Sequence, residues 1–184
     1  EIFYSFVKDP VKIDNLILTH KYVYDVWQNG SKYLYFYTLH NQEHAITLIQ
    51  NIVKLIHTID FFKISAIDYY ILFLACYLHD ISMVKIPSSD LFLIDTDKAD
   101  ELAKDLQNEY SQENLPENGP DMLCIKKYML DSYKKIDGYF EEIVRGRHEK
   151  DSAAEIRKRS EIAYLDTLIR EIVAEISEAH GADE

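Results

Sequence analysis

The chain reads as an all-α protein, a compact helical bundle. Three observations predict it: Gly (5) and Pro (4) are scarce, apolar residues make up 47% of the 184 positions, and long stretches repeat apolar residues at helical spacing. A turn-rich β architecture needs more breakers than this, and a disordered chain fewer apolar groups. The length suits one domain spanning 1–184. The formal charge of −12 gives no electrostatic support to wrapping long nucleic acid or an anionic membrane.

Residues 10–28 predict the first helix. Pro10 stands near its start, Val11, Leu16, Ile17, Val23 and Val26 supply apolar positions, and "NGSK" at 29–32 reads as a turn. The aromatic stretch "YLYFYTLH" fits either a strand or an extended segment packed on helices. From Asn41 a wide apolar face begins with Ala45, Leu48, Ile49, Ile52, Val53 and Ile56. Ser65 is a cap for the next helix, apolar almost all round from Ile67 to Leu78, which belongs at the centre of a bundle. Residues 87–120 are polar and acidic, punctuated by Pro87, Pro116, Gly119 and Pro120, and read as a peripheral insertion with one exposed helix at 98–109. A helix from Asp121 to Val144, a break at "RGRHEKDS" and a last helix from Ala153 to Ala179 complete the chain. The opening on Glu1 rather than Met reads as a piece of something longer.

The longest apolar run, Tyr69 to Leu78, is about half of the ~20 residues a membrane-spanning helix needs. With no charged-then-apolar leader and with two cysteines, Cys76 and Cys124, that make no disulfide framework, a cytoplasmic location is expected. The many tyrosines (14) suit packing beneath a surface, though stacking on a nucleobase is the alternative.

The chemistry concentrates where the apolar run stops, at His79 and Asp80. A buried carboxylate is costly unless a partner or a metal compensates it. His44, one turn into the preceding helix, enters the same core, and a His–His–Asp mixture suits first-row divalent metals. Core histidines satisfied by backbone, with Asp80 as a cap, are the plainer reading.

"HNQEHA" at 40–45 followed by "LHDISM" at 78–83 resembles the HD superfamily of metal-dependent phosphohydrolases. The resemblance implies a helical bundle of the HD-domain type in which His44, His79 and Asp80 bind metal, with His40 nearer the entrance. "IVRGRHEKDSA" at 143–153 and "ISEAHG" at 176–181 resemble elements of a subgroup often fused to Hsp90-like ATPase modules. By that resemblance His148 and His180 join a second metal bridged by Asp80, so that one or two ions (Mn, Fe, Co, Ni, Zn or Mg) serve the site. The implied activity is hydrolysis of a small phosphate ester, a nucleotide or cyclic nucleotide among them, by water that the metal activates. Asp80, His148 and Arg147 are its implied catalytic residues, with His148 assisting proton transfer. Arg145 and Arg147 either clamp a phosphate oxygen or simply face solvent, and Ser152 reads as a cap of the last helix. A regulatory or scaffold domain coupled to an ATPase module is the rival, and a metal-dependent oxygenase on the same fold a third reading.

The sequence departs from the family pattern in three places. Ser82 stands where a glycine is usual after the doublet, and Lys85 is the nearest following lysine. The last aspartate ligand has no clear counterpart. Asp166 in "IAYLD" precedes His180 instead of following it, and Asp183 is close to the end. That ligand is expected beyond Glu184, or the site is incomplete.

Overall fold

A computed structural model describes residues 1–29, 41–59, 63–84, 96–109 and 122–180. The expected turn and aromatic stretch at 30–40, with His40, lie outside the described residues, as do Lys85, Asp183, and positions 87–95 and 110–120 of the expected insertion. The described residues are helical, with no strand among them, and fall into two compact units, one drawn from 1–85 and 147–184 and the other from 86–146.

The first unit holds α1 (Ile2–Phe6), α2 (Pro10–Asn29), α3 (Gln42–Thr58), α4 (Ala66–Leu78), α7 (His148–Lys158) and α8 (Thr167–Ala179). Helix α4 is its axis, packed against α1, α2, α3 and α8. Its apolar composition dictates this place: Tyr69, Tyr70 and every residue from Phe73 to Leu78 are buried. A capping box starts it, Ser65 Oγ accepting from the Asp68 N–H while the Asp68 carboxylate accepts from the Ser65 N–H.

Tyrosine hydroxyls in this interior find partners. Tyr70 accepts from Asn15 Nδ2 at 3.1 Å, Tyr77 pairs with His20 Nδ1 at 3.1 Å and Tyr164 with Thr19 at 2.8 Å. These tyrosines tie helices together in the core. Arg159 reaches the Tyr22 hydroxyl and the Glu155 carboxylate, and burial pushes the Tyr22 phenol up to about 12.

Two features depart from the sequence reading. Helix α1, too short to be stable alone, was not expected. Phe6 packs on Tyr69 with ring centroids 4.8 Å apart and Phe3 on Phe73 at 6.0 Å, so tertiary packing makes this helix. The chain then turns at Lys8, whose φ of 62° lies in the left-handed region, and the Asp9 carboxylate accepts from the Val11 N–H at 3.0 Å to start α2. Second, the expected last helix over 153–179 is two helices. Only Gly146 and Arg147 separate α6 (Met122–Arg145) from α7, so α7 begins five residues early, at His148. It ends at Arg159, which is extended, and α8 starts afresh where the Asp166 carboxylate accepts from the Leu168 N–H at 2.9 Å. Ser152 consequently lies buried within α7 and caps nothing.

The second unit contains α5 (Thr96–Glu109) and α6 (Met122–Arg145), which touch each other. Among the described residues no helix is long and apolar enough to cross a membrane.

Two outcomes follow from α4. Ser65→Ala is expected to lower unfolding stability by ~1 kcal/mol, measured by denaturant titration. The bonds from Ser65 hold the Asp68 carboxyl below its usual value, so this contribution is present above the ordinary carboxylate range and fades as pH falls through the lowered value. Burial pushes the Cys76 thiol up to about 12. Only roughly one Cys76 in ten thousand is thiolate at pH 8, so iodoacetamide is expected to label it only after denaturation, as read by peptide mass.

Candidate metal centre

The centre lies where α3, α4, α7 and α8 of the first unit present their ends. On α3, Asn41 caps the helix by accepting from the backbone N–H of Glu43 and of His44, at 3.1 and 3.2 Å, which fixes His44 in the first turn. The His44 ring lies 5.9 Å from that of His79, tilted by 33°. On α4, His79 is the C-terminal cap and Asp80 follows it, 4% exposed. His148 is the first residue of α7, and His180 caps the end of α8.

Asp80 divides its two carboxylate oxygens between these groups. Oδ2 lies 2.7 Å from His79 Nε2, while Oδ1 lies 3.6 Å from His148 Nε2 and 3.8 Å from His180 Nε2. Two donor groups result, His44–His79–Asp80 and Asp80–His148–His180, each with ligand atoms within 4.8 Å of one another. The structure therefore gathers His44, His79, Asp80, His148 and His180, the residues singled out in the sequence.

Hydrogen bonds set the tautomers. His79 Nδ1 faces the Cys76 carbonyl at 3.1 Å and His180 Nδ1 faces the Ser177 carbonyl at 2.5 Å. His148 Nδ1 faces the Glu149 carboxylate at 3.2 Å. A nitrogen facing such an acceptor carries the hydrogen, so neutral His180 turns its Nε2 lone pair inward, and so does neutral His148 when Glu149 holds its Nδ1–H, whereas His79 Nε2, beside Asp80 Oδ2, carries a hydrogen of its own in the metal-free chain. The consequence is sharp at His148 and His180, whose Nε2 atoms are 3.1 Å apart. Two lone pairs at that distance repel unless a proton or a cation lies against them. Imidazole nitrogens shared with one carboxylate are suitable donors for divalent first-row metals, so the residues fit the expected ion.

At His79 burial pushes the imidazole down, but the hydrogen bond and charge of Asp80 outweigh it and hold the ring above its usual value. In the metal-free chain this pair stabilises the fold fully below the ordinary imidazole range. That contribution is lost as pH rises through the raised value. A metal competes with the same proton and gains as it leaves.

Arg147, immediately before His148, donates from Nη2 to Asp151 Oδ1 at 3.3 Å. Asp166 is committed to capping α8. Arg145 belongs to the second unit, where it pairs with Glu141 at 3.8 Å. The sequence reading passed over Glu149, although "HE" in "RGRHEK" places a carboxylate beside a candidate ligand. It also passed over the hydroxyl contacts of Ser82, which joins Ser152 and the His148 carbonyl.

The model of the HD-CE family matches residues 34–184. The chain belongs to the HD-CE family, an HD-type domain. Among curated proteins and among solved structures nothing matches. Within this HD-CE chain, the motif that suggested an HD superfamily relationship is also the one whose side chains converge.

Long-range 15N–1H spectra of the metal-free protein are expected to show Nδ1 protonated in His79, His148 and His180. A neutral His148 carrying its hydrogen on Nε2 would instead make the 3.1 Å contact an ordinary donor–acceptor pair.

Proposed function

We propose that this HD-CE domain is a metal-dependent phosphohydrolase acting on a small phosphate ester, with nucleotides and cyclic nucleotides the preferred class to screen. One observation carries the reading: the buried Asp80 carboxylate gives one oxygen to His79 and the other to His148 and His180. Such a split suits a carboxylate shared by two cations. His44, His79 and Asp80 would hold one divalent ion, and Asp80, His148 and His180 a second. Divalent ions in such a place supply positive charge to a phosphoryl group and acidify water.

The chain's own groups have separable tasks. Glu149 and the carbonyls of Cys76 and Ser177 orient three imidazoles by holding Nδ1–H, leaving Nε2 for the centre. Arg147, beside His148 in sequence and half-exposed, would exchange Asp151 for a non-bridging phosphate oxygen, for which its planar donors are suited. His148 serves as a ligand in this scheme, so proton transfer falls to another group or to solvent. The net charge of −12 favours a small ester over long nucleic acid. Fusion to an Hsp90-like ATPase module belongs to the same proposal and is supported by the motifs at 143–153 and 176–181.

Elemental analysis of the purified chain is expected to find up to two Mn, Fe, Co, Ni or Zn ions per chain, lost in Asp80→Asn. Hydrolysis of p-nitrophenyl phosphate, its bis ester or a nucleotide panel is expected to fall by about a hundredfold or more in that variant. A metal-loaded chain that hydrolyses none of them would favour the regulatory reading.

A further inference from the structure

Ser82 and Ser152 are 70 positions apart and meet in the interior, 5% and 0% exposed. The Ser152 hydroxyl donates to Ser82 Oγ at 2.9 Å, and the Ser82 hydroxyl donates to the His148 carbonyl at 2.9 Å. The Ser82 backbone N–H donates to Ser152 Oγ at 3.2 Å. Each donor thus has an acceptor, in a place where little water competes. Two features make this more than core polarity. Ser82 lies two residues after Asp80, and the carbonyl it grips belongs to His148.

We propose that Ser82 and Ser152 are positioning residues, a buried hydroxyl clasp that holds the first residue of α7 against the turn after the His-Asp doublet and so sets the geometry of the Asp80–His148–His180 group. This rests on the metal reading above. The first residue of a helix is its least constrained part, because its N–H has no partner in the helix and its end frays. His148 occupies that position, with its Nε2 3.6 Å from Asp80 Oδ1. The clasp fixes its main chain while Glu149 fixes its ring. His44 and His79 enter from α3 and α4, and the clasp holds neither of them. The two serines therefore grip a donor found in one group alone, His148, and meet the His44–His79–Asp80 group only through the turn after the shared Asp80, an asymmetry that a general contribution to stability does not have.

The test is Mn2+ titration of the full chain, with electron paramagnetic resonance separating isolated from spin-coupled ions, beside thermal melts. Wild type, Ser82→Ala, Ser152→Ala and the double variant are compared. The clasp predicts that affinity for the second ion weakens about tenfold or more, with loss of the coupled signal, while the first ion binds within about twofold of wild type. Ser82→Thr, which keeps the hydroxyl, is expected to recover the coupled signal. If Ser152→Ala fails to fold, Ser82→Ala carries the test, since it retains the backbone N–H that meets Ser152. Equal weakening of both ions in step with the melting temperature, or no change at either, overturns the clasp. A wild-type chain that takes up no ion overturns the metal reading and the clasp with it, whereas two ions in wild type and in every variant overturn the clasp alone.

Discussion

Everything in this centre turns on the burial of one carboxylate. Asp80 follows a helix whose apolar residues leave it no route to the surface. A charge in that setting is tolerated only when opposite charge or hydrogen-bond donors surround it. The elements that arrive around Asp80 bring imidazoles, and those of His79, His148 and His180 have their outer nitrogens already engaged. The arrangement thus looks inward electrically, with acceptor atoms turned toward a common space. The same property makes the site demanding to assemble, because each mispositioned ring leaves a buried polar atom without its partner.

The interior as a whole follows a related logic. Core tyrosines and a threonine bridge α2 to α4 and to the segment before α8, so polar contacts as well as apolar area fix which helix lies beside which. These links have modest net energies, on the order of 1 kcal/mol each. Their value is directional, since an aliphatic core tolerates small slides that a hydroxyl pair does not. A site whose donors come from four helix ends benefits from a frame that resists sliding.

Much of this was legible in the sequence, for a physical reason. A polar doublet at the end of an all-apolar helix is a local contradiction, and His44 at the start of an amphipathic helix places a second imidazole on the same core. Local patterns also gave Asn41 and Ser65 as helix starts. What stayed hidden depends on contacts between distant residues. Helix α1 exists because Phe3 and Phe6 find α4, which no five-residue window reveals. The break at Arg159 falls within a pattern that reads as continuous helix, and this partly buried arginine is held by Tyr22, far away in sequence. Ser152 suits a helix cap as a sequence and becomes a buried partner only once Ser82 is beside it.

The joining of Ser82 to His148 has one more consequence, for what lies between them in the chain. Ser82 and His148 are 66 positions apart in the chain, and the hydroxyl holds them together. Closing a flexible loop becomes only slowly costlier with length, roughly 0.6 kcal/mol for each doubling. That is less than one typical buried hydrogen bond is worth. The number of residues between Ser82 and His148 therefore bears lightly on the entropy of bringing these two together, so the doublet and the later histidines are not tied to one spacing in the chain.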